Sequence, residues 1–544
     1  MREQFRSFTT WDRDLQVRGA VSNRLALLLL LCAGVLTLWR SHGVGAPIIA
    51  NDSCQYLDAA ANFASGRGLC TNLAQFDEQV AYHRFPIPFT HFAPGYPLLI
   101  ASISRIGIAP EFAAWLISAV AFLATIWLMW DIGTGLGARQ GVLALFVVLW
   151  ITHASALALA STAITEPLFT ALLLGMVALI VRDLRGSGRQ PFLLPAIGIT
   201  AAASYWVRYA GLPLIPVALL YLIWRTWQTR GTLLRAIFAG LATAVSAAVI
   251  PLRNILLTGS WQGGFTAGGH SPRIVATETV KAWYHIVFGD RVVARVDGWS
   301  VLAFVSLATI AYLAFRAWRT EPAAAVPRHL PAAAAWIGTL IVAYSGGIVL
   351  AALHSIAFDL ARYYLPVYPV ILTSVAAFSL ARERRQYVAV ALLFTAIMAI
   401  QGRSLLVTGS GGVDTMRTVL GEEADTGISM GEWLRANTRP GDSIVSVDGQ
   451  MLQYLVQRPV VSIIEPMYSD RATNEAAFRA LMRGFHARFL VVIANTSKFK
   501  APEQEAIPFL RDLAAGKRPA WLTPASRTPD LAVFECSGCA TPAR

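Results

Sequence analysis

The sequence predicts a polytopic α-helical membrane protein that ends in a small soluble α/β domain. Two global observations carry the first part. Hydrophobic residues make up 55% of the chain and charged residues only 14%, and mean hydropathy is +0.52, values foreign to ordinary soluble domains. The third observation is local: after about Gly402 charge returns, and short β-type runs alternate with segments of helical period.

Taken in order, uncharged stretches near the ~20 residues that cross a bilayer are centred near Leu30, Phe122, Val147, Leu173, Ile199, Ala218, Val245, Val305, Thr339, Ser374 and Phe394. They predict about eleven spans. The first is the shortest, so Arg24 and Arg40 must snorkel from its ends or the segment must extend toward Ala50. A long basic N-terminal tail and the lack of a small-residue cleavage pattern before Asp52 argue against a cleaved signal peptide.

The net charge of +13 is mostly arginine, spread through short loops; this is a signal of membrane orientation and not of nucleic-acid binding. Arg2, Arg6, Arg13, Arg18 and Arg24 precede the first span. Arg139, then Arg182, Arg185 and Arg189, then Arg225, Arg230 and Arg235, then Arg316, Arg319 and Arg328, then Arg382, Arg384 and Arg385 fall in alternate loops. The positive-inside rule therefore puts the N-terminus in the cytoplasm and the C-terminus outside. Ser41 to Pro110, Leu257 to Gly298 and everything after Arg403 then lie on the outer face. The expected division is a membrane domain over 1–402, with a large first outer loop at 41–110, and an extracytoplasmic domain over 403–544.

In that last domain, strands are predicted at Ser443–Val447, Val460–Ile464, Phe489–Ala494 and Leu531–Phe534, with helices at Gly431–Ala436, Asn474–Met482 and Glu503–Leu513. No G-x-G-x-x-G follows the first strand, so no nucleotide site is expected. Cys54 and Cys70 share the first outer loop and Cys536 and Cys539 the tail, so each pair can oxidise outside the cytoplasm. Cys32 reads as a small packing residue of the first span.

The first outer loop is longer than a connection requires, which marks it as functional. Asp52 stands at its start, where a carboxylate beside a membrane cleft can act as a general base or simply cap the following helix. Tyr56 falls one turn later on the same face. The run from His91 to Ile100 is apolar but too short to span, so an interfacial helix is expected. Glu166, followed by Pro167, is either a helix cap or a second active-site acid. Arg208 and Arg362 lie at outer span ends, where the positive-inside rule disfavours arginine, and a guanidinium there suits a bidentate anion. His83 and His91 lack an acidic partner at ligand spacing, so no metal is expected. Asp58, Asp77 and Glu78 read as solvated or structural. Gly259, Gly263, Gly264, Gly268 and Gly269 make the second outer loop either a lid or a disordered connector.

Five of these segments resemble the GT-C glycosyltransferases of the protein-O-mannosyltransferase and lipid A aminoarabinose-transferase type. Asp52, Tyr56, Asn62, Gly66, Arg67 and Gly68 are similar to that family's first-loop motif, and His91 to Leu99 to its Pro-rich juxtamembrane helix. Thr165 to Phe169 look like the entrance of its fourth span. Arg208, Tyr209 and Gly211 resemble its fifth-to-sixth-span turn, and Arg362, Tyr363, Leu365 and Pro366 its late Arg-Tyr-x-x-Pro segment. Many relatives carry a second acid after the first, where this chain has Ser53, and a lone carboxylate is a poor divalent-ion site.

The resemblance implies an inverting transfer of a sugar from a polyprenyl-phosphate carrier to a glycan, lipid or protein acceptor at the outer face of a bacterial inner membrane. It implies Asp52 and Glu166 as catalytic acids, with Tyr56, His91, Arg208, Arg362 and Tyr363 binding substrate. The lipid-linked sugar is a substrate, and no cofactor is assigned. The competing readings are a transporter, which calls for matching halves and a midplane site, and a non-catalytic envelope assembly protein.

Overall fold

Peptide groups in lipid have no water to bond, so long uncharged stretches must become helices that satisfy them internally. The computed structural model describes residues 23–39, 47–75, 84–186, 190, 192–228, 233–261, 263, 270–288, 329–354, 360–378, 429–447, 449–463, 474–494, 504–505, 507–528 and 530–539. Every expected span centre falls in a helix except Val305 and Phe394, which lie outside the described residues, as do Asp77, Glu78 and His83. The membrane part comprises α1 (Asn23–Trp39), then α2 (Asn51–Ala64) and α3 (Gly95–Ser104) of the first loop. It continues through α4 (Pro110–Gly135), α5 (Gln140–Ile151), α6 (Ala154–Ala160), α7 (Glu166–Arg185) and α8 (Leu193–Val207). After these come α9 (Leu214–Gln228), α10 (Leu233–Thr258), α11 (Pro272–Phe288), α12 (Leu330–His354), α13 (Leu360–Tyr364) and α14 (Tyr368–Phe378).

Among the described residues, five helices are long and apolar enough to cross a bilayer, or six if α5 and α6, bent by 60°, form one broken span. The chain is a multi-pass membrane protein. Leu234, Phe238, Leu241, Val245, Leu252 and Leu256 stay exposed along α10, a stripe suited to lipid and not to water. Cys32, expected as a packing residue, is exposed on α1.

Where the C-terminal ends of α7 and α9 meet, Arg225 is buried instead of lying in a solvated loop. Its Nε donates to Asp183 Oδ2 at 2.5 Å, and Tyr221 Oη donates to the same oxygen at 2.6 Å.

The soluble domain begins with α15 (Met430–Asn437), β4 (Ser443–Val447), α16 (Gly449–Val456) and β5 (Val460–Ile463). It continues with α17 (Glu475–Gly484), β6 (Ala487–Ile493), α18 (Pro508–Ala514), β7 (Leu522–Arg527) and β8 (Leu531–Cys536). All four predicted strands and all three predicted helices are present, with β7 and α16 in addition. The first loop supplies β1 (Cys70–Thr71), β2 (Leu73–Gln75) and β3 (Ile87–Pro88). β1 and β3 pair with each other, but β2 joins the soluble domain's sheet, whose order is β2-β5-β4-β6-β8-β7. Its pairing with β5 is parallel, Leu73 opposite Val460 and Ala74 opposite Val461.

Cys536 and Cys539 form a disulfide, whereas no disulfide joins Cys54 to Cys70. Cys54 Sγ faces Met451 Sδ of α16 at 3.8 Å, while the Cys70 thiol donates to Arg67 O in the turn before β1. The two side chains are committed to different neighbours.

Asp183→Ala leaves Arg225 buried without its counter-charge and should lower stability by about 3–5 kcal/mol. Thermal unfolding in detergent reads this, and the double substitution Asp183→Leu with Arg225→Met should recover most of the loss.

Candidate active site

Four charged side chains from four distant segments meet at one point. Their convergence begins with backbone. Ile48 N–H donates to Ser161 O at 2.9 Å and Ala163 N–H to Ile48 O at 3.1 Å, so the strand-like segment before α2 lies beside the turn before α7. Asp52 and Glu166, each in the first turn of its helix, are thereby brought together.

Neither acid serves as a cap. Ala50 is the N-cap of α2, and Ser53 closes the first turn, its Oγ accepting from Ala50 N–H at 3.0 Å. Asp52 is left to accept from Arg362 Nη2 at 2.5 Å. Glu166 is fully buried, and its Oε1 accepts from Arg362 Nε and, at 2.7 Å, from Arg208 Nη1. Arg362 thus bridges both carboxylates through two nitrogens of one planar guanidinium, a geometry the lysine ammonium does not offer.

The arginines are aimed by broken helices. Arg208 ends α8 in extended backbone and is followed by a 3-10 turn over Tyr209–Gly211. A Cβ at Gly211 would lie 2.6 Å from the Ser204 and Tyr205 backbone, so the turn can close this tightly only on glycine. Arg208 Nη1 also donates to Thr165 Oγ1 at 2.8 Å, and its guanidinium lies 4.4 Å above the Tyr363 ring. Arg362 sits in the short α13, and Tyr344 Oη fixes the next residue by donating to Tyr363 O at 2.8 Å.

Every sequence-predicted site residue lies at or beside this cluster. Tyr56 is buried one turn from Asp52, with its ring 5.0 Å from Phe92 and 5.3 Å from Tyr96. Its hydroxyl feels the charges of Asp52, Arg208, Glu166 and Arg362. His91 packs edge-on against Phe92 at 4.4 Å and acts electrostatically on Asp52. The expected interfacial helix starts later than predicted, at Gly95, whose missing side chain admits the Trp206 carbonyl; a Cβ there would stand 2.6 Å away.

Three features escaped the sequence reading. Arg253, in α10, donates to Phe89 O at 2.9 Å and Leu69 O at 3.3 Å, fastening the β1–β3 hairpin. Tyr209 Oη adds a bond to Thr90 O at 3.0 Å. The available signal for Arg253 was its place at a span end that the arginine distribution predicts to be outer, where arginine is disfavoured. The second loop expected outside, read as lid or connector, contains helix α11, and Trp283 of α11 lies 5.4 Å from Tyr364 of α13, while Gly264, Gly268 and Gly269 lie outside the described residues. His153, at the α5–α6 bend, accepts from Ala156 N–H at Nδ1 and bonds Ile286 O of α11 through Nε2 at 2.6 Å.

No protein-family model matches the chain, and no curated protein matches its sequence. Solved structures do match its fold. ArnT from Cupriavidus metallidurans, in a crystal structure with undecaprenyl phosphate, aligns over 95% of this chain and 99% of its own, at 13% identity and a TM-score of 0.56. The Archaeoglobus fulgidus oligosaccharyltransferase aligns over 87% of this chain and 68% of its own, at 12% identity and a TM-score of 0.50. The mycobacterial arabinofuranosyltransferase AftD aligns over 94% of this chain but 41% of its own, at 14% identity and a TM-score of 0.50. The fold is the one these structures share, the GT-C fold that the resemblance implied.

Burial raises the Asp52 pKa, but the charge and hydrogen bond of Arg362, then Arg208 and His91, more than reverse this and leave the carboxyl below its ordinary 3.8. A depressed folded-state value means that the ionised pair stabilises the fold fully above 3.8 and that this contribution is lost as pH falls through the folded value. The expected result is a lower unfolding midpoint for Asp52→Asn than for the native chain, with a gap that holds from neutral pH to about pH 5 and closes only below about pH 4.

Proposed function

We propose that this protein is an inverting glycosyltransferase that moves a sugar from a polyprenyl-phosphate carrier to an acceptor at the extracytoplasmic face of a bacterial inner membrane. The observation that carries the reading is the Asp52–Arg362–Glu166–Arg208 cluster, set where the first outer loop meets the helix ends. The N-terminus is assigned to the cytoplasm and the domain over 403–544 to the outer face by the arginine distribution. A lipid-phosphate substrate is supported by the fold shared with ArnT, which has been crystallised with undecaprenyl phosphate.

Transfer by direct displacement needs a base for the acceptor hydroxyl and cations for the departing phosphate. Asp52 is ionised and partly exposed, as a base must be. Arg208 and Arg362 present planar guanidiniums matched to a phosphate. The buried Glu166 engages both arginines, and its role is to hold them in place. An incoming phosphate competes with Asp52 for Arg362, and the freed carboxylate then faces the acceptor hydroxyl. Binding of the donor thereby generates the base. Tyr56, His91 and Tyr363 lie beside this point, and the acceptor is a glycan, lipid or protein.

Reconstituted in liposomes with a panel of radiolabelled polyprenyl-phosphate sugars, the native protein should transfer one of them. Asp52→Asn should lower the rate by about 10²–10⁴-fold at matched expression. Transfer undiminished in the variant would remove Asp52 as base.

A further inference from the structure

Asp58 lies one and a half turns beyond Asp52 on α2, outside the charged cluster, and binds an unusual set of partners. Its Oδ2 accepts from Thr71 Oγ1 at 2.8 Å, Asn72 N–H at 2.5 Å and Asn62 Nδ2 at 3.4 Å. Its Oδ1 accepts from Asn72 Nδ2 at 3.0 Å and Gln453 Nε2 at 3.2 Å. A carboxylate has about four lone-pair sites and accepts only, so this ring of donors saturates it.

The donors come from three places. Asn62 belongs to α2 itself, Thr71 ends β1 and Asn72 joins it to β2, and Gln453 belongs to α16 of the soluble domain. The same joint carries the β2–β5 pairing and the Val460 N–H to Asn72 O bond at 2.9 Å. Cys54, two residues past Asp52, is fully buried against Met451 of α16. Tyr454 of α16 adds a bond from its Oη to Glu111 of α4 at 3.2 Å. The helix that presents Asp52 is therefore seated against membrane helices on one side and against the soluble domain on the other.

We infer that Asp58 is a positioning residue which locks the soluble domain onto α2, so that docking of this domain sets the place of Asp52. The lock is specific to a carboxylate, which only accepts. An asparagine would turn an amide N–H₂ toward the Asn72 and Gln453 amide donors and remove the charge, so both bonds now made to Oδ1 would have to be remade. This inference rests on the glycosyltransferase reading only for its catalytic consequence; the lock itself is a statement about docking.

Two readouts on the full-length protein test it. Alkylation of the native Cys54 by a small maleimide, followed by mass spectrometry of its peptide, reports whether α16 covers α2. Steady-state transfer reports kcat and the donor KM. Asp58→Asn should expose Cys54 about tenfold faster than in the native chain and lower kcat by as much as about 10²-fold, with the donor KM changed by less than about twofold. Gln453→Ala, which trims one donor and leaves the carboxylate, should move both readouts in the same direction by less. Cys54 equally protected in both variants would overturn the lock, and exposure with unchanged kcat would overturn positioning. If the native protein transfers no sugar from any donor, the glycosyltransferase reading fails, while the alkylation rates still decide the lock.

Discussion

The bridging of two carboxylates by Arg362 is the interaction on which the site depends. Asp52 and Glu166 sit together where burial disfavours charge, and without a cation between them one would take up a proton. A guanidinium holds several N–H donors in one plane, and Arg362 gives Nη2 to Asp52 and Nε to Glu166. Arg208 completes the set against Glu166. Two acids and two arginines make the cluster electrically balanced, so it is tolerated in a buried cleft, yet it stays ready to exchange one anion for another. A charged lipid phosphate is the kind of anion that could enter on those terms.

Holding four side chains from residues 52, 166, 208 and 362 to hydrogen-bond precision places demands on the backbone. The fold meets them at interruptions. The Ile48–Thr162 bridge aligns the two acids, the unwound turn after α8 re-aims Arg208, and the short α13 presents Arg362 with α11 packed behind it. Irregular backbone at the ends of membrane helices is affordable where protein, and not lipid, covers it. The soluble domain enters the same scheme because its sheet takes a strand from the first loop. What looks in sequence like a tail is in space a second wall for the helix bearing Asp52.

Much of this was legible in the chain. The spans follow from length and hydropathy, and the strands of the soluble domain from β-branched runs such as Ser443–Val447, because both signals are local. Arg208 and Arg362 stood out as arginines where the positive-inside rule disfavours them, Asp52 and Glu166 as acids at the start of the first loop and of a span, and the structure brings all four together. What stayed hidden is non-local. The strand β2 is three residues long and gains its pairing only from Val460–Ser462, nearly four hundred residues away. Arg253 and His153 act through carbonyls, which no sequence pattern announces. Cys54 and Cys70 share a loop, but packing against α16 decides where Cys54 points.

The most direct test of the central claim is a cryo-EM structure of the protein in nanodiscs with a polyprenyl phosphate bound. The account predicts phosphate oxygens within hydrogen-bond distance of Arg362 and Arg208, with the Asp52–Arg362 pair opened and Glu166 still holding both guanidiniums. A phosphate bound elsewhere, with the Asp52–Arg362 pair intact, would contradict it.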